Sequence, residues 1–136
     1  MKKTLLSLGA GLMLTSLHAQ NPGDLDLTFG IGGITVTDPY ALTGEVYWNL
    51  NTLANDKIVK VGYSDDGNNK NLLVARFLAD GAPDSTFATN GFLNVDLSLG
   101  GNEEARGFHE LPNGKLLVTG YVQVLTGYDG FVMQVY

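Results

Sequence analysis

Asp84-Ser85-Thr86-Phe87-Ala88-Thr89-Asn90-Gly91 repeats Asp26-Leu27-Thr28-Phe29-Gly30-Ile31-Gly32-Gly33 at a spacing of 58 residues. The register continues without a gap in both directions. Gly23 meets Gly81, Asp38 meets Asp96, Glu45 meets Glu103, Leu53 meets Leu111, Asn55 meets Asn113 and Lys57 meets Lys115. Gly62-Tyr63 meets Gly120-Tyr121, and the apolar pairs Ile58/Leu116, Val59/Leu117 and Val74/Val132 fall in the same frame. A fixed period of this size marks a repeat architecture, in which one supersecondary unit cannot bury its apolar face alone. The shared positions are of structural type. Glycine tolerates positive φ, Phe29 and Phe87 each place a large apolar side chain after a polar turn, as a core plug would, and Asp26 and Asp84 can accept amides two residues on. The same aspartates would also suit ligands at repeated sites; the turn-forming reading is preferred.

Within each copy the apolar runs are short and separated by turn residues, with no long stretch of helical period. Strands are predicted over Ile34–Thr37, Glu45–Leu53, Lys57–Tyr63 and Leu72–Leu78, then over Phe92–Leu97, Glu104–Leu111, Lys115–Leu125 and Gly130–Tyr136. Asn55-Asp56 and Asn113-Gly114 read as two-residue hairpin turns. The fold class is therefore all-β: two four-stranded antiparallel units of β-propeller type, residues 20–80 and 81–136, following a leader at 1–19. Propellers close with about four to eight blades. Two units are too few for a ring, so the chain is expected to be part of a larger protein or to complete a ring with copies of itself. The first is preferred, because nothing in the second copy is specialised as a terminal repeat.

These residues resemble the bacterial delta-60 repeat. The resemblance rests on Asp-x-x-Phe-Gly-x-x-Gly, on the turn-Gly-Lys strand and on Val74-Ala75-Arg76-Phe77-Leu78-Ala79-Asp80-Gly81 running to Asp84. It covers everything after the first twenty-odd residues. It implies a β-propeller-like repeat of large exported bacterial proteins, with no established general activity and no site residues to carry over. The chain departs from the pattern at Asp56, where the turn glycine is expected, and at Ala88, in place of the glycine after Phe. It departs again at Val132-Met133-Gln134-Val135-Tyr136, which lacks the arginine of the first copy.

The chain has 136 residues with 18 glycines, 10% aromatics and 16% charged residues, which suits a turn-rich β protein. Lys2 and Lys3, the apolar run Leu5–Leu17 and the small residue Ala19 before Gln20 have the layout of a secretory signal peptide. The expected location is outside the cytoplasm: periplasm, outer surface or extracellular. Loss of Lys2 and Lys3 with the leader takes the formal charge from −6 to −8. Such acidity argues against nucleic acid, whose phosphates demand Lys and Arg clusters, and against an anionic membrane surface. There is no cysteine, so neither disulfides nor thiol chemistry enters.

No catalytic, cofactor or metal residue is assigned. His109 is the one histidine beyond the leader and reads as a surface or rim residue. Glu45 and Glu103 repeat, with Glu104 and Glu110 nearby, and a glycosidase needs two carboxylates at a set separation. Convergence of these acids in one pocket would favour a propeller-type glycosidase or lyase; dispersal would favour a binding module. Among ions, calcium is the better candidate, at Asp65-Asp66-Gly67-Asn68-Asn69, where hard oxygen donors meet in a loop; a solvated turn is preferred. Tyr40, Tyr47, Trp48 and Tyr128 would make a carbohydrate platform if exposed, although Trp48 in an alternating strand reads first as core. The leading expectation is an exported, non-enzymatic repeat module for binding or display, with a carbohydrate or protein ligand.

Overall fold

The computed structural model describes residues 21–41, 44–97 and 101–136. The signal peptide expected at 1–19 lies outside the described residues. Among these, no helix is long and apolar enough to cross a membrane. The chain is all-β. Strands β1 (Gly44–Thr52), β2 (Ile58–Asp65), β3 (Lys70–Phe77) and β4 (Phe92–Val95) form one antiparallel sheet in the order β1-β2-β3-β4. Strands β5 (Glu103–Glu110), β6 (Leu116–Val124) and β7 (Gly127–Val135) form a second, in the order β5-β6-β7. Successive antiparallel sheets of this kind are propeller blades, and the two together make a partial β-propeller.

The sheets are out of phase with the sequence repeat. Phe92–Val95, expected to open the second unit, closes the first sheet by pairing with β3 from Leu72↔Val95 to Ala75↔Phe92. Its counterpart Ile34–Thr37, expected as a strand, carries only the isolated bridge Ile31↔Ile34. A blade here takes three strands from one repeat and the fourth from the next. The first sheet therefore has four strands, and the second has three among the described residues.

The hairpins differ from expectation too. The Leu53 amide donates to Lys57 O at 2.7 Å and the Leu111 amide to Lys115 O at 2.8 Å, so each loop holds three residues, not two. Only the third is left-handed, Asp56 at φ 63° and Gly114 at φ 77°. The Asn55 and Asn113 side chains accept the amides of Lys57 and Lys115, which fixes the preceding turn.

The main core lies between the sheets. Leu53, Val59, Val61, Leu72 and Val74 of the first sheet meet Ala105, Leu116 and Val118 of the second, and Phe87 plugs the space between them. Asp84 places that plug. Its Oδ1 accepts the Thr86 amide (3.1 Å) and hydroxyl (2.6 Å), and its Oδ2 accepts Lys57 Nζ (2.8 Å) and Arg76 Nε (2.7 Å). Asp26 makes the same turn, with Thr28 donating from its amide at 2.9 Å and its hydroxyl at 2.6 Å. Yet Phe29 is only half-buried while Phe87 is 2% exposed. The two phenylalanines are equivalent in sequence but not in environment: among the described residues Phe87 has a blade on each side and Phe29 lies against one. The repeated glycines have a steric cause: a Cβ at Gly62 would run into Val46 O, and one at Gly120 into Glu104 O.

Two consequences can be measured by urea unfolding. Phe87→Ala should cost about 3–5 kcal/mol, and Phe29→Ala under about 1.5 kcal/mol, since only part of a full burial is lost. Ala88 sits at φ 43° where the first copy has Gly30 at φ 56°. A left-handed Cβ costs about 1–2 kcal/mol and glycine entropy returns about 0.5–1 kcal/mol, so Ala88→Gly should stabilise by up to about 1.5 kcal/mol. Asp56→Gly should be near neutral, because aspartate tolerates this region better.

Candidate functional site

Both inner strands carry a bulge at the same repeat position. The pairing slips between Tyr47 and Asn49 in β1 and between Ala105 and Gly107 in β5, so the extra residues are Trp48 and Arg106, again 58 apart. A bulge re-aims the side chain it carries. Here it turns Trp48, expected in the core, outward to 49% exposure, and brings Arg106 beside it. The Arg106 guanidinium lies 4.2 Å from the Trp48 ring centre and 5.0 Å from that of Tyr121. Cation–π contact in this range contributes about 0.5–1 kcal/mol at exposed sites.

Glu104 organises the cluster from below. It is 4% exposed. Its Oε1 accepts Lys70 Nζ at 3.0 Å, and its Oε2 accepts Trp48 Nε1 at 3.1 Å and Arg106 Nη2 at 2.8 Å. Burial pushes its carboxyl up, but bonds from Lys70 and Tyr121 and the charges of Lys70 and Arg106 outweigh burial and hold it below the ordinary carboxylate value. Its hydrogen bond in turn raises Lys70. Around this centre Lys70 lies 4.3 Å over Tyr63, Trp48 and Tyr63 are 6.2 Å apart, Tyr121 and Tyr128 meet edge-to-face at 5.1 Å, and Arg106 Nη2 donates to Tyr121 Oη at 2.7 Å. The result is an aromatic platform with two cations and one anion. It offers π faces for stacking and guanidinium N–H groups for a polar or anionic substituent. It is a surface; a cleft of about 370 Å³ lies elsewhere, between residues 28–37 and the bend Asp80–Pro83.

Of the four aromatics singled out from sequence, Trp48 and Tyr128 join this platform. Tyr40 and Tyr47 are half-buried on the other face of the first sheet, where Lys60 sits 4.1 Å over the Tyr47 ring. Burial, then Glu45 and Tyr40, drive the Tyr47 phenol well above its ordinary value. Tyr63, Tyr121, Arg106, Glu104 and Lys70 were not picked out as binding residues. The repeated Gly-Tyr pairs were visible but read as scaffold, and Glu104 and Arg106 are not repeated at all.

The acids disperse. Glu110 Oε2 accepts the Ala54 amide at 2.8 Å, Glu104 is held as above, and Glu45 acts on Tyr40 and Tyr47. Glu103 has no exposed surface, and neither carboxylate oxygen has a hydrogen-bond partner among the described residues. Burial first, and the charge of Asp96 second, push it up. His109 is exposed on β5. In the Asp65–Asn69 loop, Asp65 Oδ1 accepts the Gly67 amide and Asp66 Oδ1 the amides of Asn68 and Asn69, at 2.8–2.9 Å, so each carboxylate caps its own turn. Among the described residues, no three His, Cys, Asp or Glu side chains are grouped so as to hold a metal ion.

Glu103 yields a pH test. Its carboxyl is raised above 4.5 in the folded state, so the unfolded chain ionises first and stability drains as pH rises from 4.5 through the folded value. Below 4.5 both states hold the proton and the penalty vanishes. The melting temperature of Glu103→Gln minus that of wild type should therefore increase between pH 3.5 and pH 7, measured by circular dichroism. A flat difference would show that Glu103 is not held neutral.

Residues 53–87 match a family described as a domain of unknown function (DUF5122) beta-propeller. No match is found among curated proteins or among solved structures. The matched stretch runs from the β1–β2 loop to the plug Phe87, and it supports a propeller-type repeat family for the chain.

Proposed function

We propose that the protein is an exported, non-enzymatic propeller-type repeat module of the delta-60 kind, whose Trp48–Arg106 platform binds an extracellular polysaccharide. The observation that carries this reading is the buried Glu104, which fixes Trp48 and Arg106 in one geometry while leaving both at the surface. Such preorganisation lowers the ordering cost that binding must overcome. An exposed indole flanked by Tyr63, Tyr121 and Tyr128 suits the C–H faces of sugar rings. Lys70 and Arg106 together exceed the single charge of Glu104, which adds attraction for uronic carboxylates in an otherwise acidic protein. Dispersal of the glutamates supports binding over a carbohydrate-active enzyme, since Glu103 offers no exposed surface to a substrate. Export rests on the layout of residues 1–19; N-terminal sequencing of protein recovered outside the cytoplasm should begin at Gln20.

Affinity electrophoresis through gels containing alginate, polygalacturonate or a neutral β-glucan would test the binding. Retardation is expected, strongest with the acidic polymers and weakened by salt. Trp48→Ala should lower affinity at least about tenfold, equal to about 1.4 kcal/mol, in protein whose circular dichroism shows it still folded. Binding indifferent to Trp48→Ala and Arg106→Ala, or no retardation in any gel, would overturn the proposal.

A further inference from the structure

We infer that the amide-lined pocket between the β2–β3 and β6–β7 hairpins is a second sugar subsite, taking a neutral residue that carries an acetamido group next to the acidic residue on the Trp48–Arg106 platform. The inference rests on the polysaccharide reading above and narrows it to chains in which acidic and neutral N-acetylated sugars alternate.

The pocket holds about 330 Å³ at the junction of the two sheets. Asn68 and Asn69, from the hairpin turn of the first sheet, form one wall. Gln123, Val124 and Leu125, from the corresponding turn of the second, form the other. The two turns align in the 58-residue register, yet no residue is shared from Asp65/Gln123 to Lys70/Tyr128. Asn102, whose counterpart is Gly44, ties the walls together. Its Oδ1 accepts the Lys70 amide at 2.9 Å, its Nδ2 donates to Gln123 Oε1 at 3.0 Å, and its main-chain oxygen accepts the Gln123 amide at 2.8 Å. A Cβ at Gly101 would run into Gln123 O, so the chain can pass this close to β6 only with glycine there.

These bonds fix the frame and leave its amides available. Among the described residues Gln123 Nε2 has no acceptor, and Asn68 and Asn69 use only their main-chain amides, on Asp66. A side-chain amide supplies two N–H donors and a carbonyl acceptor, which pair with the C=O and N–H of an acetamido group. Val124 and the fully exposed Leu125 offer apolar surface to its methyl. No charged side chain lines the pocket. A uronic carboxylate therefore finds its counter-charge at Lys70 and Arg106, and a neutral sugar finds its partners here.

Pocket and platform adjoin along both strands. Asn102 precedes Glu104 by two residues and Gln123 follows Tyr121 by two, so each pair lies on one face, roughly 7 Å apart. An offset of that size is a single sugar's length, so consecutive sugars of one chain reach both. Gln123 stands directly across from Tyr128, whose ring meets that of Tyr121 at 5.1 Å. Lys70 serves both sites: its main-chain amide holds Asn102 and its Nζ holds Glu104.

Affinity electrophoresis of the purified chain through hyaluronan, which alternates glucuronate with N-acetylglucosamine, and through polygalacturonate tests this. Hyaluronan has the lower charge density, so charge alone would rank it second; stronger retardation in hyaluronan is expected. Replacing both Asn68 and Asn69 with alanine should weaken hyaluronan binding about tenfold, as loss of a few neutral hydrogen bonds would, and leave polygalacturonate binding unchanged. That loss should persist at high salt, because uncharged groups make the contact. Both side chains are exposed, and circular dichroism checks that the double variant is folded. Equal or weaker retardation by hyaluronan, or a double variant that weakens both polymers alike or neither, with Trp48→Ala still weakening both, would overturn this inference and leave the platform reading in place. Binding that ignores Trp48→Ala, or no binding to either polymer, would overturn both.

Discussion

The carboxylate of Asp84 holds the fold's joints together. It is nearly inaccessible and takes one cation from the start of the β2 hairpin, one from the end of β3, and two hydrogen bonds from its own turn. Burial alone would push its proton affinity up. The bonds from Lys57, Thr86 and Arg76 overcome burial and hold it far below 3.8. A buried charge survives only when paired and fully bonded, and losing one partner of such a pair costs about 3–5 kcal/mol. Its two cations come from 27 and 8 residues upstream, so it ties the β1–β2 loop and the end of β3 to its own turn. Once they are fixed, Phe87 can only enter the space between the sheets, and β4 can only run alongside β3.

That constraint also explains what could be read from sequence. The period is legible because each joint needs the same residue types: an acid for the turn, Phe for the plug, and Lys57 or Lys115 at the start of the second strand. The all-β class and most strand positions follow from it. The phase is not legible. A periodic sequence can be cut into sheets at any point in its period, and the choice is made by the partner of Phe92–Val95, which is tertiary. Ile34–Thr37 has the same strand-like composition, yet among the described residues no strand lies alongside it as β3 lies alongside β4. Hairpin length was misread for a local reason. Asn-Gly suits a two-residue turn, but the amide of Leu53, whose side chain enters the core, bonds to Lys57 O and widens the loop to three residues.

The candidate site was half visible. Trp48 was marked for the core because a strand alternates with period two. The bulge at Tyr47/Asn49 breaks that alternation and sends it out. Bulges leave little trace in composition, although the glycine pair Gly62 and Gly120 is one: each makes room for the carbonyl of the neighbouring inner strand. Attention to repeated acids likewise pointed at Glu45 and Glu103, whereas the residue that organises the platform is the neighbour of Glu103.

A division of labour between repeated and unrepeated positions follows. Residues alike in both copies (Asp26 and Asp84, Gly62 and Gly120, Leu53 and Leu111) maintain turns, close approaches and core. The platform adds to the repeated pair Tyr63 and Tyr121 a set of positions where the copies differ: Glu104 stands opposite Val46, Arg106 opposite Trp48, and Tyr128 opposite Lys70. Adjacent blades bring equivalent positions side by side, so two identical residues would meet their own kind, arginine against arginine or indole against indole. Divergence at those positions lets Arg106 lie on Trp48 and lets Glu104 reach across to Lys70. In a repeat fold a chemically diverse site between blades therefore requires the repeat to fail locally, and comparing the two copies for their differences is the more direct route to function.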